Sequence, residues 1–320
     1  MTKEDIYTKE IFERILNEGC LDVNPRPHYE DNYLEYKKVD DKTITNGTEA
    51  IRLSDNQKVV EIPDGVQVWT PAHTLSVTHG MCPYDLTKGE TPLITLRPIA
   101  IKSSIGELLW IYQQQSNNLE VLKNKYNVDW WDEWDLGNRT IGSCYGHTVK
   151  RYNSMEKLLD GMKKDPDGRR HIISLWQEEE FTEKHGLKPC AFLTMWNIRH
   201  GKDGIDYLDM CLTQRSSDFA TAGCINQVQY LVFLLMIARH LNLTPGRFTW
   251  FYNNIQIYDR HISQVKEMLQ RESVECNPKF VLNPDKTNFF DFEPDDVKIE
   301  DFPRQLIKEK NPQLPFELGI

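Results

Sequence analysis

The chain has 320 residues, long enough to bury a sizeable core, and its 39% apolar and 27% charged residues are typical of a globular protein. A formal net charge of −10 argues against non-specific binding of nucleic acid, although a local group of arginines could still bind a small anion. Seven scattered cysteines without a Cys-x-x-Cys pair favour reduced thiols over disulfides or a zinc site, so no metal is expected.

Nothing in the sequence predicts export or membrane insertion. The N-terminal stretch is charged and lacks the apolar centre of a signal peptide. The longest apolar run, Tyr230–Ala238, is far too short to span a bilayer. We therefore expect a cytoplasmic protein with no membrane partner. Because no segment resembles a linker, a single domain over residues 1–320 is predicted.

The first third of the chain predicts two helices separated by irregular structure. Apolar spacing predicts a short amphipathic helix over 4–19, and the composition of 20–95 predicts loops and brief strands. A buried helix is predicted over 98–113. It contains Glu107, and a buried acid in an apolar helix is rarely idle, although a glutamate that faces solvent is equally compatible with the sequence.

A helix, a turn and a strand are predicted next. The helix covers 153–164, and Asn153 with Glu156 has the pattern of a capping box. Asp165-Pro-Asp-Gly168 predicts a tight turn, and the strand over 171–176 follows it.

Two groups of side chains near these elements suit a ligand. Arg169 and Arg170 follow the turn and offer planar forks of donors for a phosphate, although a solvated basic pair is commoner. Trp130, Trp131 and Trp134 could form a wall for a flat ring, although tryptophan is more often part of a core.

A β-hairpin is predicted in the second half of the chain. The stretches 192–198 and 207–212 alternate loosely, and His200-Gly-Lys-Asp-Gly204 between them suits a hairpin connection. Residues 224–241 then predict a helix that is apolar nearly all round, as core helices are. Another strand is predicted over 248–257.

Antiparallel pairing of this hairpin places Cys190 roughly opposite Gln214 and Arg215. We expect the guanidinium to lower the pKa of the Cys190 thiol and so to make it a nucleophile. The alternative is a buried cysteine that acts as a small hydrophobe. The segment Gln214–Asp218 adds several donors and one carboxylate, which would also suit an ordinary polar turn.

Eight fragments taken in chain order match one pattern. They are Glu107-Leu-Leu-Trp110, Trp131-Asp-Glu-Trp134, Tyr145-Gly146, Asp165-Pro-Asp-Gly-Arg169-Arg170, Pro189-Cys190, Gln214-Arg-Ser-x-Asp218, Asn226 and Tyr258. In this order and spacing they resemble the thymidylate synthase family over residues 95–265.

The resemblance implies an α+β fold with a large mixed β-sheet packed with helices, and an obligate homodimer formed through the sheet. It implies transfer of a one-carbon unit from 5,10-methylenetetrahydrofolate to C5 of a pyrimidine nucleoside monophosphate. In this scheme Cys190 would attack C6 of the base, and Arg215 would hold the phosphate. Glu107 would organise proton transfers, and Tyr145 would lie near C5.

The remaining residues to which the resemblance gives a role contact either the nucleotide or the folate. Arg169 and Arg170 would reach the phosphate from the other subunit. The nucleotide contacts would be Arg26, Lys150, Arg169, Arg170, Ala191, Gln214, Arg215, Ser216, Asp218, Asn226, Gln256 and Tyr258. The folate contacts would be Trp130, Trp131, Asp218, Thr221, Ala222 and Ile320.

Several positions depart from the family pattern. Ala191 stands where a typical member has histidine, Lys150 replaces an arginine, Gln256 replaces a histidine, and Thr221-Ala-Gly-Cys224 is unusual. The departures favour the hydroxymethylase branch, with CMP as the substrate. The alternatives are a methylase or hydroxymethylase acting on dUMP or dCMP, and a non-catalytic nucleotide-binding relative.

Asn226 argues against cytosine, because in the family an asparagine at this position suits uracil and an aspartate marks a dCMP enzyme. Its amide has a donor end and an acceptor end, so a flipped side chain could serve cytosine.

Overall fold

The computed structural model describes residues 1–22, 72–182 and 186–316, together with the backbone of three short strands between residues 37 and 52. Arg26 and Ile320, which the resemblance assigns to the phosphate and the folate, lie outside the described residues.

The helices and strands alternate irregularly along the chain. In order they are α1 (Lys3–Glu18), β1 (Cys20–Leu21), β2 (Lys37–Asp40), β3 (Thr43–Thr45), β4 (Ala50–Arg52), β5 (Thr74–Asp85), α2 (Ile101–Tyr112), α3 (Leu119–Tyr126), α4 (Gly146–Arg151), α5 (Ser154–Lys164), β6 (His171–Ser174), β7 (Ala191–His200), β8 (Asp206–Asp218), α6 (Cys224–Leu241), β9 (Thr244–Tyr258), α7 (Ile262–Gln270), β10 (Lys279–Leu282), β11 (Val297–Glu300) and α8 (Arg304–Lys310).

Six strands form the main sheet in the order β1-β5-β9-β8-β7-β6. Strands β8 and β9 are parallel, and the other neighbours are antiparallel. The predicted α+β fold with a large mixed sheet is therefore confirmed. A parallel pair needs a long crossover between its strands, and helix α6 provides it here.

Helix α6 is the central helix of the core. Most of its side chains are buried on every face, which explains why its apolar residues show little periodicity. With the preceding turn, the segment Phe219–Leu241 is long and apolar enough to cross a membrane by length and composition. However, 72% of its most apolar window is buried inside the protein, as expected of a core helix.

The predicted helices at 4–19, 98–113 and 224–241 are confirmed to within a few residues. The expectation of only brief strands in 20–95 is wrong, because β5 is twelve residues long and pairs with β9 along its whole length.

The capping box predicted at Asn153 and Glu156 is also wrong. A side-chain cap needs an extended backbone at the first position. Asn153 instead adopts a left-handed backbone, with φ 47° and ψ 46°, and its side chain makes no cap hydrogen bond. Asparagine tolerates this conformation, so Asn153 forms the sharp turn between α4 and α5.

A buried carboxyl group joins α1 to β5 and α6. Glu4 is fully buried, and its Oε1 accepts hydrogen bonds from Gln227 Nε2 at 3.1 Å and Cys224 Sγ at 3.2 Å. Tyr84 Oη lies against Glu4 Oε2 and is 2.7 Å from Gln227 Oε1. One phenol proton cannot serve both oxygens. A protonated Glu4 would donate to the phenol and leave it free to donate to Gln227.

Burial raises the pKa of Glu4 to about 7, from an ordinary value of 4.5. The folded protein therefore holds this proton more tightly than the unfolded chain does. The associated stabilisation is complete below pH 4.5 and is lost as pH rises through 7.

We expect Glu4→Gln to flatten this pH dependence. Relative to the variant, the wild type should lose about 2–3 kcal/mol of unfolding free energy between pH 4.5 and 8, because the carboxyl ionises in a buried site. Denaturant melts at several pH values measure the difference. Glu10→Gln, at an exposed position of the same helix, is the control. Parallel pH profiles for the wild type and Glu4→Gln would contradict the assignment.

Candidate active site

A cleft lies between α2, the start of β7 and the first turns of α6. The cleft and the open space at its mouth together hold about 370 Å³ that no protein atom fills. Its lining consists of Glu107, Leu108, Ile111, Trp131, Tyr145, Cys190, Ala191, Asn226, Gln229 and Tyr230.

The predicted hairpin carries Cys190 to this cleft. Strands β7 and β8 are antiparallel, and the backbone N–H of Arg215 donates to the Cys190 carbonyl at 2.9 Å. The predicted neighbourhood of Cys190, Gln214 and Arg215 is therefore confirmed. The pairing register shifts by one residue between Ala191 and Leu193, directly after the cysteine. Such a bulge changes the direction in which nearby side chains project.

The predicted lowering of the Cys190 pKa is wrong. Burial raises the pKa of the thiol, and the positive charge of Arg215 opposes that rise only in part. The guanidinium donates to the carbonyls of Lys188 at 2.7 Å and Pro189 at 2.9 Å, so it braces the loop that carries the cysteine. Proximity to a charge was correctly predicted, but the loss of water around the thiol has the larger effect.

Tyr145 approaches the same loop from α4. Its phenol oxygen accepts a hydrogen bond from the Cys190 backbone N–H at 3.0 Å, and burial raises the pKa of the phenol well above its ordinary value. Tyr145 has a φ of 50°, an uncommon conformation for a side chain of this size. The next residue must be a glycine, Gly146, because a Cβ at this position would lie 2.0 Å from the Ser116 carbonyl oxygen.

Glu107 is the buried acid of the cleft. It is only 7% exposed, and burial raises the pKa of its carboxyl. The indole N–H of Trp130 donates to its Oε2. Trp131 lines the cleft and packs edge-on against Tyr145, with ring centroids 5.1 Å apart. Glu107 and Trp131, one of the three tryptophans of the predicted wall, therefore line one cleft.

Asn226 lies in the first turn of α6 with both ends of its amide engaged. Its Oδ1 accepts from Gln214 Nε2 at 3.0 Å, and its Nδ2 donates to Gln229 Oε1 at 3.0 Å. The sequence analysis did not single out Gln229. The available signal was a glutamine three residues after Asn226, and therefore on the same helix face, in an otherwise apolar helix.

Further predicted contacts line the end of β8 and its neighbour β9. Ser216 and Gln256 are hydrogen-bonded to each other, with Gln256 Nε2 3.1 Å from Ser216 Oγ, and Tyr258 is buried two residues further on. The predicted contacts Lys150, Arg169 and Arg170 do not line the cleft of this chain, and all three are exposed.

The turn between β8 and α6 carries the residues that the resemblance assigns to the folate. Residues 219–223 form one π-helical turn, a feature frequent at functional sites. Thr221 Oγ1 donates to Asp218 Oδ2 at 2.5 Å, while the buried Asp218 Oδ1 has no hydrogen-bond partner among the described residues. Thr221 and Ala222 are half-buried beside it.

Comparison with known proteins agrees with this arrangement. The thymidylate synthase family model matches residues 50–310. Thymidylate synthases from Lactococcus lactis subsp. cremoris and Streptococcus pneumoniae are 42% and 44% identical to this chain, with full coverage of both partners. The solved thermostable thymidylate synthase A from Bacillus subtilis superposes with a TM-score of 0.76 at 29% identity, covering 98% of this chain and 99% of that one.

A thiol, a buried acid and an amide around a small cleft define an enzyme that can add a nucleophile to a heterocyclic base. The chain belongs to the thymidylate synthase family. Its reaction class is one-carbon transfer to C5 of a pyrimidine nucleotide, and its co-substrate is 5,10-methylenetetrahydrofolate.

We expect Cys190→Ser to lower kcat by at least about a thousandfold, because a serine hydroxyl forms far less of the nucleophilic anion than a thiol does. Nucleotide binding, measured by calorimetry, should change little. Cys211→Ser, at a partly buried site on β8 away from the cleft, is the matched control. Near-normal turnover of Cys190→Ser would show that the thiol is not the nucleophile.

Proposed function

We propose that the protein is a thymidylate synthase that methylates C5 of dUMP, with Cys190 as the covalent nucleophile. Relatives of this name match the whole chain at 42–44% identity. The observation that carries the choice of base is the orientation of Asn226.

The Asn226 amide has one free lone pair on Oδ1 and one free N–H on Nδ2 after its two protein contacts are made. The edge of uracil offers an N3–H donor and an O4 acceptor, which match these groups. Cytosine offers an N3 acceptor and a 4-amino donor. Its N3 would face the acceptor Oδ1 of Asn226, and its amino group would face the donor Nδ2. An unpaired buried polar group costs about 1–3 kcal/mol, enough for a tenfold to hundredfold preference.

Hydroxymethylation of CMP, the expectation from the sequence, has less support. It needed a reversed Asn226, which would place the amide nitrogen against Gln214 Nε2 and the amide oxygen against Gln229 Oε1. The departures at Ala191, Lys150 and Gln256 leave that conflict in place.

The chain's own groups suit the chemistry. Addition of the Cys190 sulfur to C6 moves electron density towards C5 and O4, where the free N–H of Asn226 would stabilise it. Arg215 favours the thiolate that must form first. Burial raises the pKa of Glu107 and so favours its protonated form, which suits a carboxyl group that would pass protons near O4.

Tyr145 would take part in removing the C5 proton. Its phenol keeps its own proton, because burial raises the pKa of Tyr145, so its hydroxyl would orient a water molecule that accepts the C5 proton. When bound, the folate supplies the one-carbon unit and the electrons that reduce it to a methyl group. Asp218 and Trp130 would position the folate.

We also propose a homodimer formed through the main sheet, in the cytoplasm. Met81 and Phe251 are cross-strand partners on β5 and β9 and share one face of the sheet. They are 56% and 38% exposed, and exposed apolar neighbours on a central strand favour burial against a second copy. The exposed Arg169 and Arg170 would then reach the partner's phosphate site.

Assays of dUMP, dCMP, UMP and CMP under one condition test the substrate and the product. We expect dUMP to have the highest kcat/KM and dihydrofolate to form in step with the methylated nucleotide. A preference for CMP, or tetrahydrofolate as the product, would support the hydroxymethylase instead.

Subunit mixing tests the shared site. Cys190→Ser and Arg169→Ala homodimers should each be nearly inactive. After exchange they should recover about a quarter of the wild-type turnover, because half of the dimers are mixed and one site in each is complete. Mixing Cys190→Ser with Arg215→Ala should recover nothing, since both residues act within one subunit's site. No recovery in the first mixture despite proven exchange would mean that Arg169 does not act across the interface.

A further inference from the structure

A continuous chain of hydrogen bonds runs behind the base-binding face of Asn226. The Trp250 indole N–H donates to Gln214 Oε1 at 2.9 Å, and Gln214 Nε2 donates to Asn226 Oδ1 at 3.0 Å. Asn226 Nδ2 donates to Gln229 Oε1 at 3.0 Å, and Gln229 Nε2 donates to the Ser104 carbonyl at 3.1 Å. The chain links β9, β8, α6 and α2.

The two ends of this chain determine its direction. An indole N–H can only donate, and a backbone carbonyl can only accept. Gln214 Nε2 also donates to the Ser216 carbonyl at 3.0 Å, which fixes that amide a second time. None of the three amides can turn round without placing donor against donor or acceptor against acceptor.

Burial makes this direction hard to reverse. Gln214 and Gln229 are each 2% exposed, and Trp250 is fully buried, so water cannot replace a lost partner.

We propose that Gln214 and Gln229 are positioning residues that set the base preference of the enzyme. Their hydrogen bonds prevent Asn226 from adopting the reversed orientation that cytosine would need. The Trp250 indole and the Ser104 carbonyl fix the orientations of the Gln214 and Gln229 amides. The inference rests on the proposed function, because it assumes that Asn226 contacts the base.

Two substitutions at one position separate the direction of hydrogen bonding from simple packing. Gln229→Met removes the acceptor for Asn226 Nδ2, and the preference for dUMP over dCMP should fall about tenfold. Gln229→Glu, assayed at a pH low enough to keep the new carboxyl protonated, retains an oxygen for Asn226 Nδ2 and an O–H for the Ser104 carbonyl, and its preference should stay within about threefold of the wild type. Binding constants for both nucleotides, measured by calorimetry without folate, and kcat/KM ratios give the readout.

The control is Gln227→Met, which makes the same change at a buried position of the same helix that does not line the cleft. It should leave the dUMP-to-dCMP ratio unchanged. If Gln229→Met does not fold, Gln214→Met is the second test, because it removes the hydrogen bond that Asn226 Oδ1 accepts on its other side.

The outcomes separate the two proposals. A wild type that binds dCMP as well as dUMP overturns the proposed substrate itself. A wild type that prefers dUMP, with a ratio that neither Gln229→Met nor Gln214→Met reduces, overturns only the positioning role. Equal weakening of dUMP and dCMP binding in these variants would also overturn the positioning role, because a purely structural contribution does not distinguish the bases.

Discussion

The parallel pairing of β8 with β9 is the constraint on which the rest of the molecule depends. Two parallel neighbours cannot be joined by a tight turn, so the chain must leave the sheet and return, and it does so through the buried helix α6. A buried helix can carry polar side chains only if each is paired. Gln227 is paired with Glu4 and Tyr84, while Asn226 and Gln229 are paired at the cleft. The turn before α6 carries the predicted folate contacts Asp218, Thr221 and Ala222.

The sequence predicted those features whose cause is local. The hairpin that joins Cys190 to Arg215 follows from two alternating stretches around a glycine-rich turn, and α6 follows from an apolar run of suitable length. The long strand β5 was missed because its identity depends on pairing with β9, far along the chain. Gln229 was missed for a similar reason, since only the packed structure shows which side chains face one another.

Burial explains the remaining difference between expectation and structure. A sequence shows which charges can be brought together, and the nearness of Arg215 to Cys190 was predicted correctly. It does not show how much water is excluded from the thiol, and that exclusion decides the direction of the pKa shift. Loss of water also raises the pKa values of Glu107 in the cleft and of Glu4, the α1 residue that hydrogen-bonds the start of α6.

The hydrogen-bonded chain from Trp250 to Ser104 consists of an indole, three amides and a carbonyl, none of which titrates at physiological pH. The thiol and the carboxyl that face the same cleft do respond to burial and to charge. Under the proposed function, the groups that select the base therefore keep one protonation state, whereas the thiol and the carboxyl beside them gain and lose protons. On that proposal, a change in pH would alter the rate of the reaction more than the choice of base.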